Sequence, residues 1–115
     1  MLKKTFRLSS SKDIRLTSLR GRSFFSPYFV IKFIPTKAAP RFTIIVSTRV
    51  SKRAVERNRI KRVMRETLRK SLDRFRTGDY VIIVKAKTAN QPAAQINNEL
   101  DRVLISTRLK MIKLW

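Results

Sequence analysis

Asn58, Arg62, Arg65 and Arg69 follow one another at intervals of four, three and four residues. That spacing lines up all four side chains along one stripe of a helix. Arg59 and Lys61 flank the stripe, and Arg49, Lys52, Arg53 and Arg57 crowd the approach to it. A row of guanidinium groups is suited to binding anions: each is planar and always charged, and its fork gives a phosphate two parallel hydrogen bonds, which an ammonium cannot do. A helix starting near residue 53 adds unpaired backbone N–H groups and the positive end of its dipole at the same place. Asn58, an amide among cations, can contact a base edge or a 2′-hydroxyl. The ordinary reading of a basic run is a solvated helix face, partly neutralised here by Glu66–Lys70 and Arg69–Asp73 at i,i+4. Three acids cannot, however, balance the twelve bases between Arg49 and Arg76. These positions are therefore the candidate nucleic-acid contacts.

The rest of the composition points the same way. Lys and Arg number 28 against seven Asp and Glu in 115 residues, a formal charge of +21. Such an excess repels itself and calls for a polyanionic partner: RNA, DNA or an acidic membrane surface. With no His and no Cys there is no disulfide, no thiolate metal site and none of the commonest general base, so no cofactor held by such ligands is expected. Cleavage of a phosphodiester by a protein needs clustered carboxylates holding two metals, or His with Lys. Glu99 and Asp101 stand two apart in a predicted helix and point to different sides. No catalytic residue and no metal ligand is assigned. No apolar run approaches the roughly 18 residues of a membrane span, and Met1-Leu-Lys-Lys-Thr-Phe-Arg7 is followed by no apolar stretch, as a signal peptide would be. A cytoplasmic location without a membrane partner is expected.

Positioning the basic row falls to the apolar pattern around it. Ile60, Val63, Met64, Leu68, Leu72 and Phe75 recur every three or four residues on the opposite face, predicting a helix over 53–75. Residues 1–9 are basic and aperiodic and read as an arm. Ser11 to about Leu19 predicts a short helix, capped by Ser11, with Asp13 in its first turn and Ile14 and Leu19 toward a core. Residues 24–34 read as one strand, with Pro27 at an edge or bend. Lys37–Pro40 is a turn, 42–48 a second strand, Gly78-Asp79 a turn, and 80–84 a third strand buried inside a sheet. Pro92 opens a closing helix with the stripe Ile96, Leu100, Val103, Leu104, Met111 and Ile112. The order is α-β-β-α-β-α, a single domain over 1–115 of the α+β class. Its strand–helix–strand unit (42–48, 53–75, 80–84) is a βαβ crossover, right-handed by default.

From Val46 to Glu66 the chain reads Val-Ser-Thr-Arg-Val-Ser-Lys-Arg-Ala-Val-Glu-Arg-Asn-Arg-Ile-Lys-Arg-Val-Met-Arg-Glu. Its centre is Arg57-Asn58-Arg59-x-Lys61-Arg62-x-x-Arg65-Glu66, preceded by Ala54. This stretch resembles the signature of the bacterial ribonuclease P protein family. Phe6-Arg7-Leu8, Lys12-Asp13, Gly21 and Gly78-Asp79-Tyr80 extend the likeness over about residues 3–110. The resemblance implies an α/β sandwich with a four-stranded sheet and a left-handed βαβ crossover, against the default. The fourth strand would come from a division of residues 22–48 or from a short strand elsewhere. It also implies the activity: endonucleolytic removal of the 5′ leader from precursor tRNA by a ribonucleoprotein whose RNA subunit is the catalyst, using Mg2+ bound by that RNA. The chain would be the protein subunit, with ribonuclease P RNA and precursor tRNA as partners and no obligate protein partner. The signature helix would bind the RNA, and a cleft between it and the sheet would take the leader. Many members line that cleft with aromatics from the first helix, where this chain has Ile14 and Ser18. The cleft candidates here are accordingly Phe25, Tyr28, Phe29 and Phe33, with Phe24, on a strand whose alternation divides them between two faces. Val50-Ser51 stands where some members carry a glycine. The alternative is a basic structural ribosomal protein, which charge and size fit equally well.

Overall fold

The computed structural model describes residues 2–111. Its elements are α1 (Ser11–Arg20), β1 (Arg22–Phe25), β2 (Phe29–Pro35), β3 (Arg41–Ile45), α2 (Ala54–Arg69), β4 (Gly78–Val84) and α3 (Ala93–Ser106), with short 3-10 turns at Lys4–Phe6, Leu72–Arg74 and Ala86–Thr88. The strands form one mixed sheet in the order β1-β2-β4-β3. β2 runs antiparallel to β1 and β4, and β3 runs parallel to β4, joined to it through α2. The α+β class and the four strands implied by the resemblance are both present.

The extra strand comes from dividing the 24–34 run, which is two strands and not one. Pro27 suits the second position of a tight turn, and Ser26 closes that turn. Its backbone N–H donates to the Phe29 carbonyl at 2.9 Å, and its hydroxyl accepts the Phe29 N–H at 3.0 Å. At the other end of β2 the expected Gly78-Asp79 turn is instead the start of β4. Gly78 lies so close to the neighbouring strand that a Cβ would fall 2.4 Å from the Ile34 carbonyl oxygen and 2.5 Å from the Phe33 ring.

Register decides which side chains share a face. Phe33 and Phe42 both sit opposite Tyr80, Ile31 and Ile44 opposite Ile82, and Phe29 opposite Val84. These residues form the core with Ile60, Met64 and Leu68 of α2 and Ile96, Leu100, Val103 and Leu104 of α3. Each fully buried aliphatic or aromatic side chain here contributes roughly 1.5–3 kcal/mol of transfer free energy. α2 ends at Arg69, earlier than its apolar period predicts, because the chain tightens into the Leu72–Arg74 turn; Phe75 still reaches the core. Met111 does not join the α3 stripe, being 66% exposed beyond the helix end. Ile112, expected in that stripe, lies outside the described residues.

α1 covers the other face, against β2 and β4, and Val81 is buried there. The expected inward residue Leu19 is 77% exposed, whereas Thr17 is 1% exposed. The cap also sits one residue earlier: the Ser10 hydroxyl accepts the Asp13 N–H. Arg41 fastens the helix to the sheet, giving Asp79 two hydrogen bonds of 2.9 and 2.8 Å and reaching Asp13 at 3.4 Å. The basic arm is docked. Leu2 and Leu8 are buried, and the Leu8 N–H donates to the Phe42 carbonyl at 2.8 Å, covering part of the otherwise open edge of β3.

Candidate nucleic-acid interface

Burial along α2 separates the two faces as the spacing requires. Ile60, Met64 and Leu68 are fully buried, Asn58, Arg62 and Arg69 are exposed, and Arg65 is half-buried. The loop before the helix needs no glycine. The Ser47 and Ser51 hydroxyls accept the N–H groups of Arg49 and Arg53 at 3.2 and 3.1 Å, and Val50 is buried beneath. Arg53 occupies the N-cap position with no side-chain cap bond, so no capping side chain takes up the first-turn N–H groups.

The ten candidate contacts fall into two sets. Arg57 donates to the Ser51 carbonyl at 2.9 Å, Arg59 pairs with Glu56, and Arg69 turns to Glu66 at i,i+3 instead of to Asp73. Hydrogen bonds from Arg59 and from Arg69 hold the Glu56 and Glu66 carboxyls at about 2, well below the ordinary range. The side chains of Arg49, Lys52, Arg53, Asn58, Lys61, Arg62 and Arg65 have no hydrogen bond or ion pair among the described residues. Asn58, Arg62 and Arg65 line one shallow depression together with Glu66.

Arg65 also lines a second groove, which connects the helix to the rest of the site. Its other walls are Arg7, Leu8 and Ser9 of the docked N-terminal segment, Ile14 of α1, and Phe42, Thr43 and Ile44 of β3. The spacing of the signature helix did not reveal Arg7, Ser9 and Thr43. Phe6-Arg7-Leu8 was visible as part of the resemblance, but its place in the groove depends on the bridge between Arg7 and Phe42. The aromatic candidates do not gather here. Tyr28, Phe29 and Phe33 are 7%, 0% and 2% exposed and belong to the core, which corrects their assignment to an open cleft. They are buried because the strand divides at Ser26 and its second half pairs with central β4. Phe24 is half-buried under Arg22. Phe25 is 71% exposed, but on β1, at the sheet edge opposite β3.

Among the described residues no group of three His, Cys, Asp or Glu is placed to hold a metal ion. No helix among them is long and apolar enough to cross a membrane.

A model of the Ribonuclease P family matches residues 2–108. The ribonuclease P protein component of a Nitratiruptor species is 34% identical over 97 residues, covering 84% of this chain and 87% of that protein. That of Xylella fastidiosa (strain Temecula1) is 39% identical over 88 residues, covering 76% of this chain; the chain spans 62% of that protein's length. A solved structure of a Staphylococcus aureus RNase P protein mutant superposes with a TM-score of 0.87 at 27% identity, covering 92% of this chain and 91% of the other. The likeness thus runs from the docked N-terminal segment through α3, in sequence and in fold, and the chain belongs to the ribonuclease P protein family.

Proposed function

We propose that the chain acts as the protein subunit of ribonuclease P, binding the catalytic RNA subunit through the exposed face of α2 and the 5′ leader of precursor tRNA along the adjoining groove. The carrying observation is the set of seven polar and cationic side chains around α2 with no side-chain hydrogen bond or ion pair among the described residues. Unpaired guanidinium groups on a helix whose other face is locked into a core form a rigid phosphate-binding row, and the +21 charge of the chain draws RNA to it. Arg7 and Arg65 flank the groove as phosphate contacts, while Ile14 and Thr43 offer the less polar surface a nucleotide needs. Family membership favours this reading over a structural ribosomal protein.

The chemistry on this reading belongs to the RNA. The carboxylates of the chain do not fit a two-metal site: Asp13 and Asp79 share Arg41, Glu56 is engaged by Arg59, and Glu99 by Arg102. Mg2+ is therefore held by the RNA subunit, and the protein reduces repulsion between two polyanions and holds the leader. The place of action is the cytoplasm, where precursor tRNA is made. No further protein is required.

Reconstitution with an in vitro transcribed bacterial ribonuclease P RNA tests this. At low magnesium the chain is expected to restore leader removal that the RNA alone performs only at high magnesium. Asp13→Asn, Asp79→Asn and Glu99→Gln leave single-turnover cleavage at saturating protein within about tenfold. A thousandfold fall for one of these variants, with assembly intact, would place a catalytic group in the protein and overturn the proposal.

A further inference from the structure

Arg59 lies within the basic row, yet its guanidinium points back into the fold. Nε and Nη2 donate to the two Glu56 oxygens at 2.7 and 2.9 Å, and Nη2 also donates to the Gln91 carbonyl at 2.9 Å. The same carboxylate accepts the Asn90 N–H at 3.0 Å. Asn90 holds a left-handed backbone at φ 64, a conformation Asn tolerates better than most residues, and Pro92 follows as the N-cap of α3. One carboxylate and one guanidinium thus tie the first turns of α2 to the loop that enters α3, 32 to 34 residues away. Arg62 and Arg65, one and two turns further on, have no such partners among the described residues.

We propose that Arg59 is a positioning residue and not an RNA contact: with Glu56 it clamps the first turns of α2 to the Asn90–Gln91 loop, holding the end of the helix that carries Asn58 and leads into Arg62 and Arg65 in the place the core sets for it. This rests on the reading that α2 binds RNA. The fork is essential, because only a planar guanidinium meets both carboxylate oxygens and still reaches the Gln91 carbonyl. A lysine keeps the charge and loses the geometry. Glu56 tells the clamp from a contact by the sign of its effect. If Arg59 met phosphate, Glu56 would be its competitor and a negative charge beside the RNA, and removing it would tighten binding. As half of a clamp, Glu56 is needed, and its loss weakens binding although the chain becomes more positive.

The test titrates in vitro transcribed ribonuclease P RNA with the wild-type chain, Glu56→Gln, Arg59→Lys and the double variant. The clamp predicts that each single variant weakens binding about tenfold, in line with the loss of one charge-assisted pair. It also predicts that the double variant is within about twofold of the weaker single, because both break the same contact. Equal or tighter binding by Glu56→Gln, or wild-type affinity for Arg59→Lys, overturns the clamp. Amide exchange in the free protein tests it without RNA. The Asn90 amide is protected in the wild-type chain and released in Glu56→Ala while β4 amides stay protected; an Asn90 amide unprotected in the wild type also overturns the clamp. Failure of the wild-type chain to bind the RNA, with the Asn90 amide protected, overturns the functional reading and leaves the clamp standing.

Discussion

α2 and α3 lie side by side on one face of the sheet and share one core, yet their outer faces differ in kind. α2 carries six bases and two acids, and α3 carries one base and two acids. On α3 every charge has a partner: Arg102 pairs with Glu99, and Asp101 with Lys110. On α2 the charges in the middle of the stripe are left open among the described residues. Shared inward packing with unequal outward pairing separates what the fold requires from what a partner would require. Open cations on a chain of charge +21 raise self-repulsion in the free protein, which the proposed binding of RNA would offset.

The largest consequence concerns salt. If about 6–10 phosphates meet α2 and the groove, RNA affinity falls by about 10³–10⁵ between 50 and 200 mM salt. Thermal stability moves the other way over that range, rising slightly as salt screens the self-repulsion of the free protein. A flat affinity curve in a filter-binding titration breaks the distinction between the two helices.

Next in size are changes to the shared inner face. Leu68→Ala on α2 and Leu104→Ala on α3 each remove a fully buried side chain and are expected to cost about 2–5 kcal/mol in urea unfolding. A marked inequality between them would mean that the helices do not share the core equally.

The smallest effect is in acid. Arg59 holds the Glu56 carboxyl at about 2, against 4.5 ordinarily, and Arg102 lowers Glu99 in the same direction. A folded-state value below the unfolded one means that the unfolded chain binds more protons in this window. The pairs therefore contribute fully above pH 4.5, and the contribution fades toward about pH 2. Melting temperatures of the wild-type chain and Glu56→Gln should converge as pH falls through that window. A gap that stays constant would show that the Glu56 charge contributes nothing.

What could be read from the residues divides by range. The outward row and the inward stripe of α2 were legible because both depend on a local period, and the βαβ unit because each of its parts is strongly patterned. The hairpin was not. Phe24 to Ile34 is an unbroken apolar run apart from Ser26, Pro27 and Lys32, and the backbone and hydroxyl bonds across the Ser26–Phe29 turn show where it folds. Thr17 replaces Leu19 as the inward residue of α1 because that helix lies over the less apolar face of the sheet, where Arg41, Asp13 and Asp79 anchor it. The groove and the Arg59 clamp depend on contacts between distant segments, Arg7 with Phe42 and Arg59 with Gln91, for which no spacing gives a sign.

The most direct test compares Arg62→Ala/Arg65→Ala on α2 with Arg102→Ala on α3, each titrated with ribonuclease P RNA and melted by circular dichroism. Loss of two charge-assisted phosphate contacts at roughly 1.5–3 kcal/mol each weakens the α2 variant by at least about 100-fold. The α3 variant is expected to bind within about twofold of the wild type, and both melt within a few degrees of it. Equal affinity for the two variants, or an α2 variant that unfolds yet still binds, would contradict the assignment of the exposed α2 face as the RNA anchor.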